Sequence, residues 1–279
     1  MRLRLHHHAD GARVAYRESG TGPALVLLHA GGLSHREWEP VVEPLSERFR
    51  LVLPDLPLHG DSEDRPRHPY SPDWLADVLA SFCTETAGPR PLVGGHGAGA
   101  EILLRAVVTG RLTPSRLVLM PNRLHRPSAQ PGKMALWRAA CRTAAVPGID
   151  RLGAYGAALA FRPRWGDRLT ATGAPGTRDL MRHAFQGVAG NGTRARAWAR
   201  ASRRWPRGAQ RELLDAYPRI ACPVLLLWAD SDPLHPLDAA QEALDLLPDA
   251  QLRVLSDCGH LMAYDDPVGL ARELIAFCG

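Results

Sequence analysis

Two residues near the end of the chain have the types and positions of an acid–base pair. Asp232 follows an apolar run that ends at Trp228, and His260 follows the next such run, which ends at Leu255. A carboxylate beside an imidazole holds the ring in one tautomer and stabilises its cation, while the free ring nitrogen accepts a proton. A general base with its supporting carboxylate is the chemistry that these two residue types offer.

A glycine-rich segment between a strand-like run and a helix-like run is the next candidate for chemistry. Residues 92–100 read LVGGHGAGA and fit the strand–turn–helix pattern G-x-S-x-G, with Gly95 and Gly99 as the small flanking residues. The flanks must be small because the turn is sharp and a neighbouring Cβ would crowd it. The nucleophile position is then Gly97, and glycine has no side chain with which to form an acyl-enzyme.

Together these segments resemble the α/β-hydrolase superfamily, and the resemblance covers nearly the whole chain. The runs ADSDP at residues 229–233 and DCGH at residues 257–260 resemble the family's acid and histidine loops. The resemblance implies that Asp232 is the catalytic acid and that His260, which it supports, is the general base, in the chain order nucleophile, acid, histidine. The run HAGG at residues 29–32 resembles the family's His-Gly loop, with Ala30 where the family has a glycine. The resemblance implies an oxyanion hole formed by the backbone N–H groups of Gly31 and Ala98.

Other residues near these segments are alternatives for the nucleophile or for the pocket. A shift of the glycine pattern by one residue would place His96 in the nucleophile position. Neither register offers serine, cysteine or aspartate, which argues against the covalent routes of esterases, dehalogenases and epoxide hydrolases. Ser34 and Ser62 have the positions of turn-stabilising serines, and Cys258 is expected to face the core. His29, Ser34 and His96 are retained as possible pocket residues.

The apolar runs indicate the scaffold that positions these groups. Short β-rich runs alternate with helix-like stretches, which is typical of a mostly parallel sheet with helices on both faces. Strands are predicted over Arg2 to Leu5, Gly11 to Tyr16, Ala24 to His29, Arg50 to Pro54, Pro91 to Gly94, Arg116 to Met120, Pro223 to Trp228 and Gln251 to Leu255. Helices are predicted over Glu37 to Arg48, Ser71 to Glu85, Ala98 to Thr109, Pro236 to Leu247 and Pro267 to Phe277. We predict an α/β-hydrolase fold, a twisted and mostly parallel sheet that begins with an antiparallel hairpin.

The alternation stops between the sixth and seventh strands. Residues 122–217 contain helix-like stretches and no strand-like run, which predicts a helical cap inserted into a core of residues 1–121 and 218–279. From Arg123 to Arg211 there are 17 arginines and one lysine against three aspartates, a net charge of +15 that leaves −10 for the rest of the chain. This cap is a candidate surface for an anionic substrate, a coenzyme A thioester or an acidic carrier protein, or it is a solvated basic surface.

Composition excludes several other classes. No apolar run has the roughly 20 residues that a membrane-spanning helix needs, and the start of the chain lacks a secretory signal, so the cytoplasm is the expected location. The five cysteines form no CxxC pair, which argues against a structural zinc site. No ligand cluster or phosphate-binding glycine loop is evident, so neither a metal nor a cofactor is expected. The basic segment carries no nucleic-acid-binding motif.

Three functions remain open at this point. The first is a cofactor-independent enzyme in which His260 and Asp232 catalyse non-covalent chemistry on a small anionic or aromatic molecule, as a lyase, cyclase, oxygenase, decarboxylase or direct hydrolase. The second is a conventional hydrolase of esters, amides or C–C bonds with a different nucleophile. The third is a non-catalytic binder of small molecules. Fold analogy alone does not choose among them.

Overall fold

A single mixed sheet forms the centre of the protein. The computed structural model describes residues 1–65, 67–127, 163–184, 191–206 and 210–279, with residues 132, 135, 138, 139, 142, 146 and 148–152 between them. The strands are β1 (Arg2–His7), β2 (Arg13–Ser19), β3 (Ala24–Leu28), β4 (Arg50–Pro54), β5 (Leu92–Gly95), β6 (Arg116–Leu119), β7 (Val224–Ala229) and β8 (Ala250–Leu255). Their order is β1-β2-β4-β3-β5-β6-β7-β8. β2 pairs antiparallel with β1 and β4, and the other neighbours are parallel. The predicted fold is confirmed.

Helices lie against both faces of the sheet. The helices with described bounds, including those between β6 and β7, are α1 (Glu39–Ser46), α2 (Pro72–Ala87), α3 (Ala98–Val108), α4 (Thr177–Ala184), α5 (Gly192–Arg204), α6 (Arg211–Leu214), α7 (Leu237–Leu246), α8 (Met262–Asp265) and α9 (Pro267–Cys278). The helix predicted from Glu37 instead begins with a 3₁₀ turn, His35–Trp38, before α1. The second strand begins at Arg13 rather than at Gly11, because Gly11 has a φ of +80° in the hairpin turn.

Successive residues of the parallel strands point to opposite faces, and both faces are buried. Val26 and Leu28 of β3 belong to the core on one face, against α2, α3 and α7. Leu25 and Leu27 belong to the core on the other face, against α1 and α9. Burial on both faces explains why these strands read as continuous apolar runs without alternation.

The site residues lie beyond the carboxyl ends of the parallel strands. The loop after β3 carries Ala30 and Gly31, the turn after β5 carries Gly97, and the loops after β7 and β8 carry Asp232 and His260. Carboxyl ends of parallel strands meet at one edge of a sheet, which is where ligands bind in open α/β sheets. The topology therefore gathers segments that are far apart in the chain.

Between β6 and β7, the described residues contain helices and no strand. They include α4, α5, α6 and two 3₁₀ helices, Pro163–Arg168 and Tyr217–Arg219. Parts of the predicted cap, such as residues 153–162 and 185–190, lie outside the described residues, so its boundaries stay a prediction. In the part of the chain that the structure describes, no helix is both long enough and apolar enough to cross a bilayer.

Candidate active site

Asp232 and His260 are in direct contact. The Nδ1 atom of His260 lies 3.0 Å from Oδ2 of Asp232. β7 and β8 are adjacent, with Ala229 opposite Leu255, so the loops that follow them begin side by side. The backbone N–H of Ser231 donates to the carbonyl of Cys258 at 3.0 Å, which joins the two loops. The sheet and this hydrogen bond together fix the pair.

The carboxylate of Asp232 accepts more hydrogen bonds than sequence alone indicates. Besides His260, the N–H groups of Leu234 and His235 donate to Oδ1 at 2.7 and 3.3 Å, and Nδ1 of His235 donates to Oδ2 at 3.1 Å. Burial alone would raise the pKa of Asp232, but the hydrogen bonds from His235 and His260 outweigh burial and hold that pKa well below its usual range. Asp232 is therefore a carboxylate that orients two imidazoles.

The environment of His260 favours its neutral form. Burial lowers the pKa of His260 to about 4, with a smaller contribution in the same direction from His96, while Asp232 opposes the shift. Because the Nδ1–H donates to Asp232, the lone pair is on Nε2. A neutral imidazole with a free Nε2 is the form in which a histidine accepts a proton.

Gly97 occupies the strained position of the turn between β5 and α3. Its φ and ψ are +50° and −119°, a conformation that L-residues rarely adopt. Its N–H donates to the carbonyl of Pro121 at 3.0 Å. A Cβ on either flanking glycine would collide with backbone, at 2.6 Å from the Ala100 nitrogen for Gly95 and 2.6 Å from the Leu28 oxygen for Gly99. The sharp turn predicted from the glycine pattern is present, with Gly97 at its apex.

Ala30 fills the space beside the apex. A Cβ on Gly97 would lie 2.9 Å from the Cβ of Ala30 and 3.8 Å from the nitrogen of Gly31. A separation of 2.9 Å between two carbons is well inside the usual contact distance. Of the two departures from the family pattern, Ala30 thus occupies the space in which a side chain on Gly97 would begin. A side chain could return to position 97 only if Ala30 made room, whereas a return of Ala30 to glycine meets no such obstacle.

Two backbone N–H groups near the apex are available to an anionic oxygen. Ala98 is the first residue of α3, so its N–H has no partner within the helix. Gly97 precedes it without a side chain that could cap the helix. Across the turn, the Cβ of Ala98 lies 3.3 Å from the position that a Cβ on Gly31 would take. The predicted oxyanion residues Gly31 and Ala98 are therefore neighbours.

A second carboxylate–imidazole pair lies next to His260. Glu37, in the 3₁₀ turn His35–Trp38, is hydrogen-bonded through Oε1 to Nδ1 of His96, and both side chains are 2% exposed. Oε2 of Glu37 also accepts the N–H of Ala30 at 2.7 Å. The rings of His96 and His260 lie 4.3 Å apart between centroids. Contacts from His96 and the Ala30 N–H outweigh burial and keep the pKa of Glu37 below its usual value.

Sequence reasoning missed Glu37 and His235. His235 follows Asp232 by three residues, and a histidine so near the predicted acid was a usable signal. Glu37 gave no such signal, because it reads as the start of an ordinary amphipathic helix and reaches His96 only through the fold.

The remaining predicted residues have local structural contacts. His29 is fully buried, and its Nε2 accepts the N–H of Leu56 at 2.9 Å. Ser34 is also fully buried and accepts the N–H of Arg36 at the start of the 3₁₀ turn. Ser62 accepts the N–H of Ala15 at 2.8 Å, and Cys258 belongs to the core. Of the three possible pocket residues, the structure brings only His96 against His260.

Comparison with known proteins identifies the family. The sequence model described as the alpha/beta hydrolase family matches residues 25–273. The chain belongs to the alpha/beta hydrolase family. Family membership accounts for the sheet order and for the carboxyl-edge position of the acid, the histidine and the turn.

Individual relatives of this family member differ in their named roles. The chain is 31% identical to the magnesium-chelatase 30 kDa subunit of Rhodobacter capsulatus over 86% of this chain and 81% of that protein. It is 25% identical to the pimeloyl-(acyl-carrier protein) methyl ester esterase of Vibrio vulnificus over 95% of this chain and 97% of that one. A thermophilic esterase from Thermogutta terrifontis has a similar fold, with a TM-score of 0.77 at 21% identity over 100% and 98% of the two chains.

Proposed function

We propose that this hydrolase-fold protein is an enzyme that uses His260, supported by Asp232, as a general base and forms no covalent intermediate. The pair has the contacts that such a base requires, with Nδ1 held at 3.0 Å from the carboxylate. The proposed reactions are those that begin with removal of a proton from an acidic C–H or O–H group of a small molecule, or from a water that attacks it.

The observation that carries this proposal is that Ala30 restricts the space for a side chain at Gly97. A nucleophile at the apex of the turn needs a Cβ, and the methyl group of Ala30 lies 2.9 Å from where that atom would be. If only the serine at position 97 had been lost, position 30 in the loop after β3 would still be the family's glycine. The filled space argues that this site is built around the absence of a nucleophile.

The proposed proton route uses only groups of this chain. His260 takes the substrate proton on Nε2, and Asp232 stabilises the resulting imidazolium. The electron pair moves to a substrate oxygen, which accepts hydrogen bonds from the N–H groups of Gly31 and Ala98. Each such donor contributes about 3–4 kcal/mol in comparable sites. The imidazolium then returns the proton to the product, so that the enzyme is regenerated.

The substrate class follows from charge and from a relative. The Arg-rich segment at residues 123–211 favours an anionic molecule, a coenzyme A thioester or a group held on an acidic carrier protein. Among the described residues, several of these arginines already pair with acids, as Arg123 does with Glu101 and Arg194 with Asp64. The Vibrio vulnificus relative is named for an ester on an acyl-carrier protein. This name supports a substrate that is held on an acidic carrier protein.

A second candidate is a non-catalytic binding role in a larger assembly. It is favoured by the Rhodobacter capsulatus relative, which is named as a subunit of magnesium chelatase. Under this alternative, replacement of His260 by glutamine would leave the affinity for the ligand nearly unchanged.

The test of the proposal compares the native protein with the variant Ala30→Gly/Gly97→Ser on p-nitrophenyl esters of short and medium acyl chains. We expect the native protein to give no burst of p-nitrophenol. The double variant should give a burst followed by turnover, and Gly97→Ser alone should give less because Ala30 crowds the new side chain. Addition of His260→Gln to the double variant should abolish the gain. A burst from the native protein would reveal a nucleophile elsewhere and refute the proposal.

A further inference from the structure

The two carboxylate–imidazole pairs of the site face each other. His260 donates from Nδ1 to Asp232, and His96 is bound through Nδ1 to Glu37. The rings are tilted by 45° with centroids 4.3 Å apart. In both residues the hydrogen bond to the carboxylate leaves Nε2 as the nitrogen with a free lone pair. The proposed base mechanism uses only one of these nitrogens.

The Nε2 atom of His96 is a buried polar atom without a partner. It is shielded from solvent and makes no hydrogen bond with any described residue. Buried polar atoms are paired in the great majority of cases, and an exception calls for an explanation such as an ion. The catalytic role of His260 does not explain the unpaired Nε2 atom of His96, because His260 makes no hydrogen bond to it.

We propose that His96 and His260 form a binding site for a divalent transition-metal ion of the Zn²⁺ type. A ring nitrogen of His96, a ring nitrogen of His260 and a carboxylate oxygen of Asp232 all lie within 4.8 Å of one another. Two nitrogens that bind one zinc ion in tetrahedral geometry at ~2.0–2.1 Å are about 3.4 Å apart, so rotations of the two rings that bring the nitrogens up to ~1.5 Å closer close the site.

The supports of the two imidazoles are those of metal ligands. A histidine that binds a metal almost always donates its other ring N–H to a carboxylate or carbonyl, which fixes the tautomer and makes the ligand more basic. Asp232 does this for His260, and Glu37 does it for His96. Two supported imidazoles side by side are more than a single catalytic base requires.

The charge of the site also favours a dication. The side chains of Glu37 and Asp232 are buried beside the two imidazoles. Two buried negative charges are costly unless they are balanced. Imidazole ligands suit zinc, copper and nickel, whereas magnesium and calcium prefer oxygen. The remaining positions of the ion would be open to water or to a small ligand.

Occupancy of this site would regulate the chemistry proposed above. An ion on Nε2 of His260 takes the lone pair that removes the substrate proton, so metal binding and base catalysis exclude each other. This regulatory consequence rests on the proposed function, whereas the binding itself does not. The expected behaviour is competitive inhibition by Zn²⁺ that a chelator reverses.

The experiment measures Zn²⁺ affinity without substrate, by competition with a chromogenic chelator. Every protein carries His7→Gln/His8→Gln, because the N-terminal histidines could bind the ion independently. In this background we compare the unaltered site with His96→Gln, whose amide can still donate to Glu37, and with Glu37→Gln. We expect about one bound ion for the unaltered site. Affinity should fall by about 10–100-fold in Glu37→Gln and by at least about 100-fold in His96→Gln.

A second measurement needs no substitution in the site. Imidazole ¹⁵N NMR of the protein with His7→Gln/His8→Gln should show that added Zn²⁺ shifts Nε2 of both His96 and His260. The proposal is overturned if that protein binds no ion, if His96→Gln binds as tightly, or if the two Nε2 resonances stay in place. None of these outcomes bears on base catalysis, which proton-exchange assays test separately.

Discussion

The two halves of the candidate site match the family pattern to different extents. The acid half comprises the loops after β7 and β8, with Asp232, His235 and His260, and its carboxylate accepts four hydrogen bonds. The nucleophile half comprises the loops after β3 and β5, with Ala30, Gly31 and Gly97. There the turn is intact, but the reactive side chain is missing and a methyl group occupies the adjacent space.

Under the proposed function, the contrast separates the groups that the chemistry needs from the group that it does not need. A base and its support are useful without a nucleophile, since proton transfer needs only the imidazole and a means to stabilise the developing charge. The turn itself is retained because it begins α3 and presents the N–H of Ala98.

The largest predicted effect is on the proton-exchange rate and comes from substitutions in the acid half. Asp232→Asn should lower the rate at which the protein catalyses deuterium exchange at the acidic C–H of a β-dicarbonyl probe by up to about 10⁴-fold, because asparagine favours the wrong tautomer of His260. His260→Gln should reduce the rate to that of solvent alone. NMR of the probe in D₂O measures both.

The matched control for that prediction is His235→Gln. This change removes the second imidazole from Asp232 and leaves the contact with His260, so the exchange rate should change by less than about 10-fold, in line with the modest effect of one hydrogen bond. Equal losses for His235→Gln and Asp232→Asn would contradict the assignment of the base to His260.

In the nucleophile half, the predicted effect is on the free energy of unfolding. Gly97→Ala and Gly32→Ala both place a side chain at positive φ, but a Cβ at Gly32 would have no atom within 4 Å, whereas one at Gly97 would press on Ala30. Gly97→Ala should therefore lower the free energy of unfolding by about 1–3 kcal/mol more than Gly32→Ala does. Urea denaturation measures the difference, and Ala30→Gly should remove it. Equal costs for the two single variants would show that the space is not restricted.

The smallest expected effect concerns His59, which supports the loop after β3. Its Nε2 accepts the N–H of Gly32 at 2.8 Å, and burial, with help from His29, lowers its pKa to about 3. A histidine in the unfolded chain has a pKa of about 6.5. Between these values only the unfolded chain binds the proton, so this contribution to stability is complete above pH ~6.5 and falls as the pH falls towards ~3.

The variant His59→Gln isolates that contribution. Glutamine keeps an acceptor for Gly32 but does not titrate, so the loss of unfolding free energy between about pH 7 and pH 5 should be smaller than in the native protein. Urea denaturation at each pH measures it. If the pH dependence of the unfolding free energy were unchanged, His59 would take up a proton as readily in the folded chain as in the unfolded chain.

Much of the scaffold was predictable because its signals are local. Apolar runs located all eight strands to within a few residues, and the glycine pattern located the turn at Gly97. The contacts that define the site are not local. Glu37 is separated from His96 by 59 residues, and the proximity of Ala30 and Gly97 depends on the pairing of β3 with β5. Sequence alone gave Ala30 the status of a mild departure from a motif, whereas the structure makes it the neighbour of the missing nucleophile.

The most direct test of the central claim is intact mass spectrometry after treatment with a fluorophosphonate, which phosphonylates activated serines. The native protein should remain unmodified, and Ala30→Gly/Gly97→Ser should gain the mass of one phosphonyl group. The variant that also carries His260→Gln should remain unmodified. Modification of the native protein would contradict the account, because it would reveal an activated serine that Gly97 and its surroundings do not provide.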